Sequence, residues 1–150
     1  MRCLEGHRWF GAVLTLLVIC TSVTLRAGHK TPSYKVIVHP TCPVEFVDKR
    51  ELLRIFLKKN TRWPESALVY PVDLHADSDI RKRFTDDVME RSVSAVLSHW
   101  QQAIFSGRAV PPLELKSDAE IVRYVINTKG AIGYVSIDAP VGSAKVIEVR

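Results

Sequence analysis

The sequence has little of what marks a catalytic site or a disulfide-stapled domain. Its three cysteines lie at positions 3, 20 and 42, and it contains no C-x-x-C pair, H-E-x-x-H, G-x-S-x-G or phosphate-binding P-loop pattern. Because Cys3 and Cys20 belong to an N-terminal leader-like stretch, only Cys42 would remain in the following domain, which excludes an internal disulfide there. We therefore expect a non-enzymatic domain that is stabilised by its core and needs no cofactor.

Basic residues are not concentrated as they are in nucleic-acid-binding proteins. The formal net charge is +5, and residues 1–27 contribute Arg2, Arg8 and Arg26 against Glu5. Lysine and arginine are otherwise scattered and are not interleaved with aromatic residues. The composition therefore gives no support for a nucleic-acid partner.

The apolar run at residues 9–20 is too short for a comfortable membrane span, but it has the length of a signal-peptide core and follows Arg2 and Arg8. We expect residues 1–27 to be a signal peptide or an N-terminal anchor. The cleavage site is imperfect, since Leu25 lies three residues before a cut after Ala27. Both alternatives therefore stay open: a periplasmic or otherwise exported protein, or one anchored to the membrane by this segment.

Hydrophobic periodicity divides the rest of the chain into a linker at 28–33 and one domain at 34–150. Apolar or alternating runs predict strands at 34–39, 68–72, 131–137 and 145–149. Four amphipathic patterns between them predict helices, giving the order β-α-β-α-α-α-β-β. Strands separated by helices imply an α/β fold with a mostly parallel, open sheet flanked by helices on both faces.

Helix starts are marked by capping residues. Asp48 with Glu51, and Ser117 with Glu120, have the spacing of capping boxes, and Ser92 precedes another apolar helical pattern. Asp77 or Ser78 is expected to cap the helix that follows the second predicted strand. The polar cluster of Asp73, His75, Asp77 and Asp79 matches no calcium loop, so we interpret it as a turn and a helix cap, with no metal site.

Residues 62–84 combine the end of a predicted strand, a polar loop and the start of a helix. In open α/β sheets, ligands bind beyond the carboxyl ends of the strands, and a helix N-terminus favours anions. This junction is therefore where we expect a ligand.

An ordered set of segments resembles the substrate-binding proteins of phosphate ABC transporters. The segments are ELLRIFL at 51–57, TRWP at 61–64, VYPVDL at 69–74, IRKRF at 80–84, HWQQAIFSGR at 99–108, the prolines at 111 and 112, and GAIGYV at 130–135. The resemblance covers about residues 34–137. It implies a type 2 periplasmic-binding-protein fold, of which this chain has room for one lobe, and a solute-binding-like role.

The resemblance also suggests the ligand and the residues that contact it. It implies an oxyanion such as phosphate, and of the family's anion-loop residues only Ser78 carries over. We take Ser78, Arg81 and Asp73 as the candidate ligand-binding residues at this helix start. Asp77 and Asp79 replace the glycine and hydroxyl residues common in the family's anion loop, and carboxylates at a helix N-terminus repel an oxyanion. We therefore expect weak binding. The alternative is a non-catalytic interaction module that keeps the fold, has lost phosphate binding, and packs against a second copy or another envelope protein.

Overall fold

A computed structural model describes residues 33–64 and 67–150. The predicted leader at 1–27 and nearly all of the linker at 28–33 lie outside these residues. The elements, in chain order, are β1 (Tyr34–Val38), β2 (Phe46–Val47), α1 (Lys49–Phe56), β3 (Tyr70–Leu74), α2 (Asp79–Met89), α3 (Val93–Phe105), β4 (Leu113–Leu115), α4 (Asp118–Asn127), β5 (Ala131–Ser136) and β6 (Lys145–Val149).

The strands form one open sheet in the order β2-β6-β1-β5-β3-β4. The pairs β2–β6, β5–β3 and β3–β4 are parallel, whereas β1 is antiparallel to both of its neighbours, β5 and β6. Five strands therefore run in one direction and β1 alone runs in the other. This arrangement confirms the predicted α/β fold with a mostly parallel open sheet.

Helices cover both faces of the sheet. On one face α1 and α2 pack against β1 and β3, with α3 packed on α2, and on the other face α4 packs against β5, β3 and β1. Gly133 makes the approach of α4 possible, since a Cβ atom at this position would lie 2.8 Å from Ile121 Cγ2 and 2.9 Å from Val72 Cγ1. The small residue in the middle of β5 thus sets how closely α4 approaches the sheet.

An aromatic cluster fills the space between the sheet and α1 and α2. The Phe84 ring is stacked on Tyr134 with a centroid distance of 3.8 Å and an interplanar angle of 7°. Tyr34 meets Phe84 edge-on at 5.3 Å, and Phe56 lies 4.8 Å from the same ring. All four side chains are buried, so Phe84 fixes the position of α2 on the sheet through several ring contacts at once.

The structure adds two strands that the sequence pattern did not predict. β2 has two residues and β4 has three, which is too short for a recognisable alternation. The second predicted strand is also shifted along the chain, from 68–72 to Tyr70–Leu74. Pro71 is tolerated because its position needs no backbone donor. Tyr70 N donates to the Gly130 carbonyl on the β5 side, so the nitrogen of the next residue, Pro71, faces β4, and pairing with β4 begins only at Val72.

Three of the four predicted helix caps are confirmed. The hydroxyls of Ser78, Ser92 and Ser117 accept hydrogen bonds from the amides of the third residue of α2, α3 and α4. The prediction for α1 is wrong in its detail. Asp48 is the N-cap residue but its side chain accepts no capping bond, and the Glu51 side chain accepts from the side-chain amide of Asn60.

Several large apolar side chains near the end of α3 are exposed. Phe105 is 92% exposed and Val110 is 65% exposed, with Ile104 and Leu113 about half exposed. No helix of the described residues has the length and apolar character needed to cross a bilayer.

Candidate functional site

Three helices begin at the same edge of the sheet. β2, β3 and β4 all run in one direction, and each is followed directly by a helix, namely α1, α2 and α4. The N-termini of these helices therefore lie at the carboxyl-end edge of the parallel strands, where backbone N–H groups and helix dipoles create positive potential. Of the three junctions, the one between β3 and α2 contains the predicted site residues.

The β3–α2 loop is a tight turn closed by local hydrogen bonds. His75 N donates to the Leu115 carbonyl at 2.8 Å, Ser78 N donates to the His75 carbonyl at 2.9 Å, and the Ser78 hydroxyl accepts from Arg81 N at 3.4 Å. Within residues 33–64 and 67–150, no acceptor is found for the amides of Asp79 and Ile80. The loop therefore presents one hydroxyl and two free amide donors to solvent.

Carboxylates surround these donors. The side chains of Asp77 and Asp79 are 93% and 83% exposed. Lys82 binds Asp79 at 2.9 Å, and the hydrogen bond and charge of Lys82 lower the pKa of Asp79. Asp77 lies 3.4 Å from His75 Nδ1. Part of the negative charge is thus balanced locally, although the loop is not electropositive.

Beneath the loop lies a buried ion cluster of Asp73, Arg81, Glu114 and Tyr134. Arg81 is 1% exposed; its Nη2 contacts Asp73 Oδ2 at 3.1 Å and its Nη1 contacts Glu114 Oε1 at 2.5 Å. The same Nη1 donates to the Leu74 carbonyl, and the Tyr134 hydroxyl donates to Asp73 Oδ1. One guanidinium therefore joins α2 to the carboxyl ends of both β3 and β4.

Burial dominates the acid–base properties of this cluster. It raises the pKa of Asp73 to about 6, against the opposing effects of the Arg81 charge and the Tyr134 hydrogen bond. Burial, together with the neighbouring Asp73, also raises the pKa of Tyr134 well above its ordinary value, so the phenol keeps its proton. Arg81 Nε is buried without a hydrogen-bond partner among the described residues.

The far end of α2 is held by a second polar contact. Tyr34 Oη donates to Asp87 Oδ2 at 2.5 Å, and Lys49 Nζ lies 2.5 Å from Asp87 Oδ1. Asp87 thereby connects α2 to both β1 and α1. Both ends of α2 are therefore held to neighbouring elements by side-chain contacts.

The structure brings the three predicted site residues together but places them at different depths. Ser78 lies at the surface as the helix cap, whereas the polar groups of Asp73 and Arg81 face each other in the interior. Sequence reasoning missed Glu114 and Tyr134. Tyr134 was visible only as part of an apolar strand, and Glu114 lies on the three-residue β4, which gave no pattern.

The surface at Ser78 is open, since the side chains of the neighbouring Asp77 and Asp79 are largely exposed. A groove of about 390 Å³ lies at the start of α1, and one of about 490 Å³ lies between α2 and α3. Neither is lined by Ser78, Asp79 or Ile80. Among the described residues no group of three or more His, Cys, Asp or Glu side chains could hold a metal ion. A ligand at Ser78 would therefore remain largely hydrated.

Comparisons with known proteins support the resemblance at the level of the fold. No family model matches the chain, and no curated protein matches it. Solved structures do match. A protein from Clostridium perfringens, assigned as a phosphate ABC transporter substrate-binding protein and solved with bound phosphate, has a TM-score of 0.62 at 21% identity, over 78% of this chain and 44% of its own.

Two further structures agree. An ABC-type phosphate transport receptor from Vibrio cholerae has a TM-score of 0.63 at 19% identity, over 78% of this chain and 46% of its own. PstS from Borrelia burgdorferi has a TM-score of 0.61 at 14% identity, over 79% of this chain and 47% of its own. This chain therefore has the fold found in phosphate transport binding proteins and spans less than half of their length.

Proposed function

We propose that this domain is a solute-binding-like module that weakly binds a small oxyanion such as phosphate at the N-terminus of α2. One observation carries the proposal. A helix held at both ends begins at the carboxyl end of a parallel strand with a serine cap and two free amides, in a fold shared with a phosphate-bound structure. Hydroxyl and amide donors at a helix start match the oxygens of such an anion.

The roles of the three site residues differ in this proposal. Ser78 contacts the anion directly, together with the amides of Asp79 and Ile80. Arg81 and Asp73 act from beneath, because their ion pair fixes the end of β3 against the first turn of α2. The positive charge of Arg81 is already balanced by two carboxylates, so it adds little attraction for an anion at the surface.

The same geometry predicts low affinity. The site is open, and each nearby carboxylate repels an oxyanion by about 1 kcal/mol at 4 Å in water. We expect a dissociation constant for phosphate between about 1 μM and about 1 mM, that is between −8.2 and −4.1 kcal/mol. Isothermal titration calorimetry of the full chain with inorganic phosphate measures it directly.

Variants at two helix caps make the calorimetric test specific. Ser78→Ala should weaken phosphate binding by about tenfold, since one hydroxyl bond to a charged group is lost. Ser92→Ala is the matched control because Ser92 caps α3 in the same way, and it should leave phosphate binding unchanged while costing similar helix stability. Equal losses in both variants would contradict a site at Ser78.

The repulsion by the nearby carboxylates is tested by a second variant. Asp79→Asn removes a carboxylate at the helix start and frees Lys82, so it should tighten binding by about fivefold. Asp86→Asn, at an exposed position of α2, should change it much less. If neither the wild type nor any variant releases or absorbs heat with phosphate at about 1 mM, anion binding is refuted. Light scattering on the same sample then tests self-association through the exposed side chains near Phe105.

The cellular location forms part of this proposal. The apolar run at residues 9–20 and its flanking arginines support export, with the domain acting outside the cytoplasm. Expression in a bacterial host followed by fractionation should give a shortened product in the periplasm. A full-length product in the cytosol would contradict it, and a full-length product in the membrane fraction would favour the anchored form.

A further inference from the structure

The buried cluster beneath the β3–α2 loop carries more negative than positive charge. Asp73 and Glu114 provide two carboxylates, and Arg81 provides one guanidinium. Asp73 and Arg81 are almost completely buried, and the Glu114 side chain is about one third exposed at 35%. An uncompensated charge in such a place is costly, so the cluster has a reason to gain a proton.

Asp73 has polar partners from three of the elements that pack against β3, namely α2, β5 and β4. Arg81 faces it from α2, Tyr134 from β5 and Glu114 from β4, and the Leu74 amide lies on its own strand. His75, the next titratable residue along the chain, pairs outward with Asp77 and is half exposed. Since the Tyr134 phenol keeps its proton and a guanidinium has no acceptor site for a further one, a proton entering the cluster must go to one of the two carboxylates.

The two carboxylates differ in which elements they hold. Asp73 belongs to β3, a strand paired on both sides, whereas Glu114 belongs to the edge strand β4. β4 has three residues and follows Pro111 and Pro112. The side-chain contact between Glu114 and Arg81 joins this short strand directly to α2.

We propose that Asp73, Arg81 and Glu114 form a proton-controlled joint, in which uptake of one proton by Asp73 leaves Arg81 paired with Glu114 alone and so tightens the attachment of β4 to α2. The proton comes from solvent and resides on a carboxyl oxygen of Asp73. Tyr134 continues to donate to the other oxygen, and no covalent bond besides the O–H bond forms or breaks. The raised pKa of Asp73, about 6, places the change between neutral and mildly acidic solution.

The proposed joint predicts a local change in the amide exchange of β4, which a measurement of global stability alone would not detect. In the full chain, amide hydrogen exchange of β4, corrected for the intrinsic rate at each pH, should slow by about three- to tenfold between pH 7.5 and pH 5, the range expected for one strengthened charge-assisted hydrogen bond. Amides of β1, which lies outside the cluster, serve as the internal reference. Carbon-detected NMR of the Asp73 carboxyl should show a titration midpoint near 6.

Two variants separate the joint from a merely structural cluster. Asp73→Asn is neutral at both pH values and should give slow β4 exchange at both. Glu114→Gln should abolish the response of β4 while Asp73 still titrates, with a lower pKa because the Glu114 charge helps to raise it. An Asp73 midpoint near 4, an unchanged β4 exchange ratio in the wild type, or a full response in Glu114→Gln would each overturn the proposal. Near-UV circular dichroism checks that the variants fold, and if Asp73→Asn does not, the wild-type titration and Glu114→Gln decide.

Discussion

The close packing of α4 on the sheet gives the sharpest prediction, for the substitution Gly133→Ala. The added methyl group would lie 2.8 Å from Ile121 Cγ2 and 2.9 Å from Val72 Cγ1. Ordinary carbon contacts are about 3.5–4.0 Å, so α4 or the strand must move by at least about 0.6 Å. Ile121 lies on α4 and Val72 lies on β3, so a movement that relieves one contact does not relieve the other.

The magnitude follows from two opposing effects. Overpacking a well-filled core costs about 1–3 kcal/mol, and replacing glycine by alanine returns about 0.4–1 kcal/mol by restricting the unfolded chain. The net expectation is a destabilisation of about 1–2 kcal/mol, which lowers the melting temperature of a domain of this size by roughly 4–8 °C. Urea unfolding followed by circular dichroism measures the free energy independently.

A double-mutant cycle identifies the contact. Val72→Ala removes the Cγ1 methyl, so in Gly133→Ala/Val72→Ala only the close contact with Ile121 remains, and the two changes should couple favourably by about 1 kcal/mol. Val47→Ala, three strands away on β2, should be additive with Gly133→Ala. A melting temperature equal to or above that of the wild type, or the absence of coupling with Val72, would refute the packing argument.

Three further predictions follow from the core and the buried cluster. Burial raises the pKa of Asp73 from 3.8 to about 6, so folding favours its neutral form. Relative to Asp73→Asn, the free energy of unfolding of the wild type should rise by up to about 3 kcal/mol as the pH falls through this window, and should fall again as the pH rises. Chemical unfolding at pH 4.5 and 7.5 that gives the opposite sign would contradict this. Gly130→Ala should cost more than about 2 kcal/mol, since Gly130 has φ +85° and a Cβ atom there would lie 2.2 Å from the Leu68 carbonyl oxygen; a thermal melt within 2 °C of the wild type would show that the loop adjusts freely. Phe84→Ala should cost about 3–5 kcal/mol because it removes the ring stacked on Tyr134, and a loss below about 1 kcal/mol in urea unfolding would mean that the aromatic cluster does not hold α2.

The sequence by itself determined the features that depend on neighbours along the chain. The apolar run at 34–39 predicted the buried β1, and helical periodicity behind Ser78, Ser92 and Ser117 predicted α2, α3 and α4 with their caps. These features depend on backbone geometry and on side chains three or four residues apart. The alternation of strands and helices along the chain was enough to predict an α/β fold with a mostly parallel sheet.

Only the tertiary structure decided where the short strands lie and what becomes of the charged residues near Ser78. β2 and β4 are held by pairing with β6 and β3, and nothing in two or three residues indicates such a partner. Arg81 looks like a surface residue in the sequence IRKRF, yet it is buried because Asp73, 8 residues before it, and Glu114, 33 residues after it, meet it at one edge of the sheet. A buried charge is acceptable only where its partners converge in space, and that convergence is set by the order of the strands.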